Sequence, residues 1–324
     1  MKTLCLLLCL LQITPFTAIP AAPPSTGAAA FALLEAESGE LLLGQNENAR
    51  LPMASTTKIM TALVVLRVCA LDELVTVPKE AAVEGTSMYL SSGERLTVEA
   101  LLYGLLLQSA NDAAVALAVH AAGSTEKFAT LMNAEAGRLG LENTHFVTVN
   151  GLDDPAHYTT AAELARLTAA ALREPTFARI VATSEKVVVN AAGKRYFLTN
   201  HNRLLREYPG CVGVKTGYTM RSGRCLVSAA ARDGMTLIAV TLSDRQDWRD
   251  HRALLDYGFS HYRRLLLAEA GALTYGELSN SAPLTALVSI DTDPTITLTV
   301  RLTKTGGEAI FTVGKNTYTF PLTK

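Results

Sequence analysis

Between residues 29 and 43 two apolar runs flank Glu37-Ser38-Gly39-Glu40, and this polar break with its glycine predicts a β-hairpin near the start of the chain. From Ser55 to Leu74 the period changes. Ile59, Leu63, Leu66 and Ala70 recur at helical spacing while Met60, Val64 and Val68 widen the stripe, which predicts a helix buried on most sides. Ser55 and Thr56 are residue types that cap a helix start, so Ser55 is expected at the positive end of the helix dipole. Between about 98 and 175 the Ala- and Leu-rich pattern predicts helices over 98–107, 113–121, 127–139 and 161–172, an all-helical insertion. After Glu185 the period of two returns over 186–189, 212–216, 225–230 and 235–242, with Asp233-Gly234 marking a hairpin, and a helix over 247–257 follows. Strands at both ends with helices between predict an α+β unit over 23–267, in which one antiparallel sheet joins the first hairpin to the last three strands and is flanked by helices. Beyond about Ala268, strict alternation over 295–303 and again at Tyr318, Phe320 and Leu322 predicts a small β-rich C-terminal domain over 268–324.

Ahead of all this, Lys2 precedes an uncharged apolar run over 4–11, and Pro- and Ala-containing sequence follows to Ala22. That is the pattern of a secretory signal peptide over 1–22, far short of the ~20 residues a membrane span needs. No later run reaches that length, so no transmembrane anchor is expected. The formal net charge is −1, and loss of Lys2 with the leader makes it −2, which gives no footing for nucleic acid. Cys5 and Cys9 leave with the leader. The odd remainder, Cys69, Cys211 and Cys225, argues against a disulfide-built scaffold; Cys211 and Cys225 could face each other across a hairpin, the alternative being buried free thiols. The six histidines are scattered, with no H-E-x-x-H or C-x-x-C pairing, so neither a metal nor another cofactor is expected.

Three short motifs carry the chemistry. Ser55-Thr-Thr-Lys58 puts a hydroxyl and an amine one helical turn apart on one face, a nucleophile with its base beside it if burial strips the lysine of its proton. Ser109-Ala-Asn111 falls where one apolar helix breaks and the next begins; in an extended linker both side chains would share one rim, able to relay a proton and grip a carbonyl. Lys215-Thr216-Gly217 ends the 212–216 strand. There a cation stands beside a residue without a side chain, a setting for an extended peptide whose terminal carboxylate meets Lys215 and the Thr216 hydroxyl. Each alone has a bland reading: a capping serine with a surface lysine, a Ser/Asn helix cap, a strand ending in a glycine turn. The triplet recurs at Lys304-Thr305-Gly306, where it reads as a turn.

In that order, and on those elements, the set resembles the signature of penicillin-binding proteins and serine β-lactamases. The surrounding sequence, Ala54-Ser-Thr-Thr-Lys-Ile-Met-Thr-Ala62, Leu107-Gln-Ser-Ala-Asn-Asp-Ala-Ala114, Gly151-Leu-Asp153, Gly213-Val-Lys-Thr-Gly-Tyr-Thr219 and Leu255-Asp-Tyr-Gly-Phe259, is similar to the low-molecular-mass D-alanyl-D-alanine carboxypeptidases of peptidase family S11. The resemblance implies a β-lactamase/transpeptidase-like catalytic fold with a β-rich C-terminal domain. It also implies a secreted hydrolase that acts on peptidoglycan stem peptides ending in D-Ala-D-Ala, at the cell wall or the outer face of the cytoplasmic membrane, and is acylated by β-lactams. By the same resemblance Ser55 is the nucleophile, Lys58 the general base, Ser109 a proton relay and Asn111 a substrate-orienting amide. Lys215 and Thr216 take the carboxylate beside Gly217, and the backbone N–H groups of Ser55 and Tyr218 form the oxyanion hole. Two positions depart from the family pattern: Asn150 stands where some members have His, and His201 where some have Arg, which leaves Arg245 and Arg249 as nearby candidates for carboxylate binding. A β-lactamase, for which Glu163 would have to serve deacylation rather than a capping box, and a catalytically inactive wall-binding module are the competing classes.

Overall fold

The computed structural model describes residues 22–290, 295–302 and 306–323, so the expected leader lies outside it except for Ala22. The chain opens with β1 (Ala30–Glu35) and β2 (Leu41–Gln45), the expected hairpin, turned at Gly39 with φ +73°. Helix α1 (Lys58–Val68) follows and stops short of Leu74: Cys69 is already extended, and the Glu73 carboxylate takes the Ala70 N–H at 2.5 Å in the turn beyond. Two short strands, β3 (Leu74–Thr76) and β4 (Arg95–Thr97), then pair with each other. The four expected helices appear as α2 (Val98–Leu107), α3 (Asn111–Ala122), α4 (Thr125–Arg138) and α5 (Ala161–Leu172), and a short helix that the pattern did not foresee, α6 (Pro175–Val181), follows them. Strand β5 (Glu185–Val189) pairs with β6 (Arg195–Thr199) in a hairpin of their own, apart from the main sheet. Then come α7 (Leu204–Glu207), β7 (Cys211–Thr219), β8 (Gly223–Arg232), β9 (Met235–Leu242) and α8 (Asp247–His261).

The main sheet runs β2-β1-β9-β8-β7, all antiparallel, so the first hairpin does join the last three strands. Helices cover both of its faces, as alternation along the strands records. Ala30, Ala32 and Leu34 of β1 and Ile238, Val240 and Leu242 of β9 enter the large core with α1, α2, α3 and α5; Phe31, Leu33, Leu237 and Ala239 face the smaller core with Leu254 and Leu255 of α8.

The C-terminal strands are β10 (Tyr262–Ala268), β11 (Thr274–Tyr275), β12 (Leu278–Ser279), β13 (Leu284–Ser289), β14 (Ile296–Leu302), β15 (Gly307–Val313) and β16 (Asn316–Leu322). β10 follows α8 directly and pairs with β13, so a strand on the catalytic side of the expected boundary at 267 belongs with strands beyond it. β14, β15 and β16 form an antiparallel meander. In the second Lys-Thr-Gly triplet, Lys304 and Thr305 lie outside the described residues, between β14 and β15.

Candidate active site

Residues 54–57 form a single 3₁₀ turn that runs into α1. Ala54 holds φ +48°, a strained conformation for a residue with a Cβ. The Thr56 hydroxyl donates to the Met53 carbonyl at 2.6 Å and the Thr57 hydroxyl to the Ala54 carbonyl at 2.7 Å. Neither Ser55 nor Thr56 therefore caps the helix, contrary to expectation: the 3₁₀ turn takes the place of the cap, and the Ser55 hydroxyl is left to Lys58. Lys58 is fully buried, and its Nζ donates to Ser55 Oγ at 2.9 Å, Asn111 Oδ1 at 2.7 Å and the Asn150 carbonyl at 2.5 Å. All three acceptors are neutral. Burial holds the Lys58 ammonium well below the usual lysine range and the charge of Lys215 lowers it further, against an opposing pull from Asp112. A neutral amine keeps two N–H bonds for the two carbonyl oxygens and turns its lone pair to Ser55.

The turn is braced from behind by His157, which the sequence reading missed. The Val147 and Thr148 N–H groups donate to its Nδ1 at 3.0 and 3.2 Å, so Nε2 carries the proton and donates to Thr57 Oγ1 at 2.8 Å, and Thr57 passes its own proton to Ala54. Burial lowers the His157 pKa to about 4, which keeps that tautomer neutral. Gly151, at φ +87°, lets its loop lie against the turn: a Cβ there would stand 2.0 Å from the Ala54 carbonyl oxygen. Because Lys58 uses the backbone carbonyl of Asn150, the departure from His at that position leaves this contact available to either residue.

Ser109 and Asn111 do not sit in an extended linker. Ser109 is left-handed, with φ +62°, and Asn111 is the first residue of α3. Asn111 is held at both ends of its amide, by Lys58 and by the Glu84 carbonyl at 2.7 Å, and so fixes the position of the Lys58 amine. Asp112, the next residue, accepts from the Ser87 hydroxyl and the Met88 and Leu90 N–H groups, fixing the loop beside the site.

Ser55, Thr86, Ser109, His201, Thr216, Gly217 and Tyr218 line a cavity of about 310 Å³ together with Arg224, Cys225, Asp247 and Trp248. β7 is the outer strand of the sheet, so one row of its N–H and C=O groups is free of strand partners. Gly217 brings it against the 3₁₀ turn that holds Ser55: a Cβ there would lie 3.1 Å from the Ser55 nitrogen. Lys215 is buried, its Nζ donates to the Thr216 carbonyl at 2.8 Å, and burial brings its pKa down to about 7. Tyr218 stands exposed on the rim. Among the described residues, neither Arg245 nor Arg249 lines the cavity. The arginine that does is Arg224, opposite Tyr218 in the β7–β8 register and paired with Asp247 at 2.9 Å. Hairpin pairing of 212–216 with 225–230, legible in the sequence, could have found it. Cys211 and Cys225 are free thiols and do not oppose each other, since Cys225 faces Gly217 and Cys211 faces Ala230.

The pattern of the D-alanyl-D-alanine carboxypeptidases of family S11 matches residues 17–246. The chain belongs to that family. It is 35% identical to the D-alanyl-D-alanine carboxypeptidase DacF of Bacillus subtilis over 71% of its own length, and 34% identical to DacB2 of Mycobacterium tuberculosis over 77%. It spans 61% of the DacF sequence, 63% of Escherichia coli DacC and 87% of DacB2. The crystal structure of the Streptomyces K15 DD-transpeptidase superposes with a TM-score of 0.70 at 34% identity, covering 74% of this chain and 99% of that one. DacD of Francisella tularensis, at 25% identity and a TM-score of 0.76, covers 94% of both chains, C-terminal strands included. The fold of this family is thus the α+β architecture described above.

Proposed function

We propose that the chain is a secreted serine-type D-alanyl-D-alanine carboxypeptidase, removing the terminal D-alanine of peptidoglycan stem peptides through an acyl intermediate on Ser55. What carries this reading is a buried lysine amine with only neutral acceptors, 2.9 Å from the hydroxyl of a serine that lines a cavity under an edge strand. Neutral Lys58 takes the Ser55 proton as Oγ attacks the penultimate carbonyl. The oxyanion that forms is received by the backbone N–H groups of Ser55 and Tyr218, each worth ~3 kcal/mol in such settings. Collapse breaks the peptide bond, and the departing amine takes the proton back from Lys58 by way of Ser109. Water, deprotonated by Lys58, then hydrolyses the ester and regenerates the serine. Asn111 holds Lys58 in place, and Lys215 with Thr216 and the close strand at Gly217 seats the terminal carboxylate.

The leader over 1–22 is then removed on export, the 23–267 unit carries the activity at the cell wall or the outer face of the cytoplasmic membrane, and 268–324 is the accessory domain. No helix among the described residues is long and apolar enough to cross a membrane. β-Lactams enter as mimics of the terminal dipeptide. The β-lactamase reading is weakened by Glu163, whose carboxylate accepts from the Asn143 N–H and the Thr144 hydroxyl and does not line the cavity. Its backbone N–H bonds the Thr160 cap, half of the expected capping box. Intact-mass spectrometry after penicillin exposure should show one penicilloyl group on Ser55, and peptides ending in D-Ala-D-Ala should release D-alanine. Label retained by Ser55→Ala refutes the nucleophile; fast penicillin turnover without peptide cleavage identifies a β-lactamase, and no reaction with either identifies a binding module.

A further inference from the structure

Away from the cavity, Cys69 at the end of α1, Glu73 in the following turn and His120 in the last turn of α3 bring a sulfur, a carboxylate oxygen and an imidazole nitrogen within 4.8 Å of one another. His120 Nε2 is 2.9 Å from Glu73 Oε2, while Glu73 Oε1 accepts the Ala70 N–H, which aims the carboxylate. We propose that Cys69, Glu73 and His120 form a binding site for a divalent transition-metal cation, with zinc the best match, completed by water.

The donor set decides the metal. Thiolate, imidazole and carboxylate together suit zinc and its borderline neighbours and disfavour calcium or magnesium, which take oxygen ligands. Tetrahedral ligands at zinc bond lengths stand about 3.3 to 3.8 Å apart, so binding needs shifts of no more than about 1 Å: the widest pair closes from within 4.8 Å and the His120–Glu73 pair opens slightly from 2.9 Å. Glu73 and His120 are on the surface, which leaves an entry path and room for the water. An ion pair between His120 and Glu73 accounts for two of the three groups, while Cys69 packs against the edge of the large core with its sulfur beside them. Glu73 and His120 are far apart in sequence and on different elements, outside any short metal motif.

The site joins the far ends of two helices whose near ends meet at the serine: α1 starts with Lys58 and α3 with Asn111, in contact at 2.7 Å. One helix length, roughly 16 Å for α1, separates the cation from the chemistry. The cation therefore steadies the helix pair and takes no part in acyl transfer.

The full chain, stripped with a chelator, is titrated with zinc by calorimetry and with cobalt(II) as the spectroscopic probe. Expected are one equivalent bound, a thiolate-to-cobalt charge-transfer band, and a melting temperature raised by zinc. Cys69→Ser should abolish the band, and Cys69→Ser, Glu73→Gln and His120→Ala should each weaken zinc at least tenfold, as loss of a ligand requires. Cys211→Ser should leave binding intact, and the chelated protein should still be acylated by penicillin. Absence of saturable uptake by the wild type, a band that survives Cys69→Ser, or zinc affinity unchanged in His120→Ala overturns the proposal.

Discussion

Two lysines near the cavity are buried and short of a carboxylate partner at bonding distance in the contacts they make, and the proposed mechanism gives them opposite duties. Lys58 must lose its proton to act as base, so acylation should rise with pH through its lowered pKa. Lys215 must keep its proton to hold a carboxylate, and burial brings it to about 7 in the unliganded protein, so kcat/KM for peptide substrates should fall again as pH passes that value. A bell-shaped profile is expected, measured by D-alanine release. Lys58→Arg retains a charge that cannot be shed and should slow acylation by roughly 10²- to 10⁴-fold while the melting curve shows a folded protein. A near wild-type acylation rate in that variant would reduce Lys58 to a structural part. Gly151→Ala meets both a left-handed φ and the Ala54 carbonyl, so it should cost more than about 2 kcal/mol and displace the nucleophile turn. Thermal melting and penicillin labelling read both effects.

The turn, the helices and the sheet are clamped together by neutral histidines. His157 ties the 147–148 backbone to Thr57. His251 of α8 bonds Ser228 of β8 through Nδ1 at 2.5 Å and Thr241 of β9 through Nε2 at 3.0 Å. Burial lowers their pKa values to about 4 and about 3 respectively. Below about 6.5 the unfolded chain takes up protons that these native imidazoles refuse, so stability should fall as pH drops from there through 4 toward 3, by a few kcal/mol for each ring at the limit. Urea or thermal unfolding against pH measures the slope. His157→Gln and His251→Gln together should flatten it, and an undiminished slope in the double variant would assign the acid lability elsewhere.

The C-terminal strands are tied to the catalytic sheet by charge as well as by packing. Glu35 of β1 is completely buried, and Arg264 of β10 reaches it at 3.0 Å while also bonding Glu37 and Thr285; Leu287 of β13 joins the smaller core under α8. Removing the arginine leaves the buried Glu35 carboxylate without an opposite charge and with only the Ser38 N–H and hydroxyl, both at 2.7 Å, as donors, so Arg264→Ala should destabilise by roughly 3 kcal/mol, the low end for a broken buried pair. Glu35→Gln added to that variant should restore much of the loss, and Ser55 labelling at low temperature should persist in both. Equal stability of wild type and Arg264→Ala would show the two parts to be held by apolar contacts alone.

Periodicity was enough to foresee the first hairpin, the helical insertion and one antiparallel sheet joining that hairpin to the last three strands, because both core faces demand apolar residues in alternation; the order of strands within the sheet came from the structure. The three motifs singled out Ser55, Lys58, Ser109, Asn111, Lys215, Thr216 and Gly217, and of these the structure brings Ser55, Ser109, Thr216 and Gly217 to one cavity and bonds Lys58 to Ser55 and Asn111. The strands 195–199 and 262–268 escaped that reading, since one belongs to a half-exposed hairpin and the other looks like a tail until its partner β13 is known. Only the tertiary structure decided that Ser55 is in a strained 3₁₀ turn rather than a cap, that Asn111 is spent on Lys58, and that Arg224 rather than Arg245 or Arg249 lines the cavity. The same holds for His157, the Asn150 carbonyl and the Cys69–Glu73–His120 group. Their roles come from burial and from contacts between distant segments, through a backbone carbonyl or a tautomer set by two N–H donors, and such properties leave no mark in residue type or local spacing.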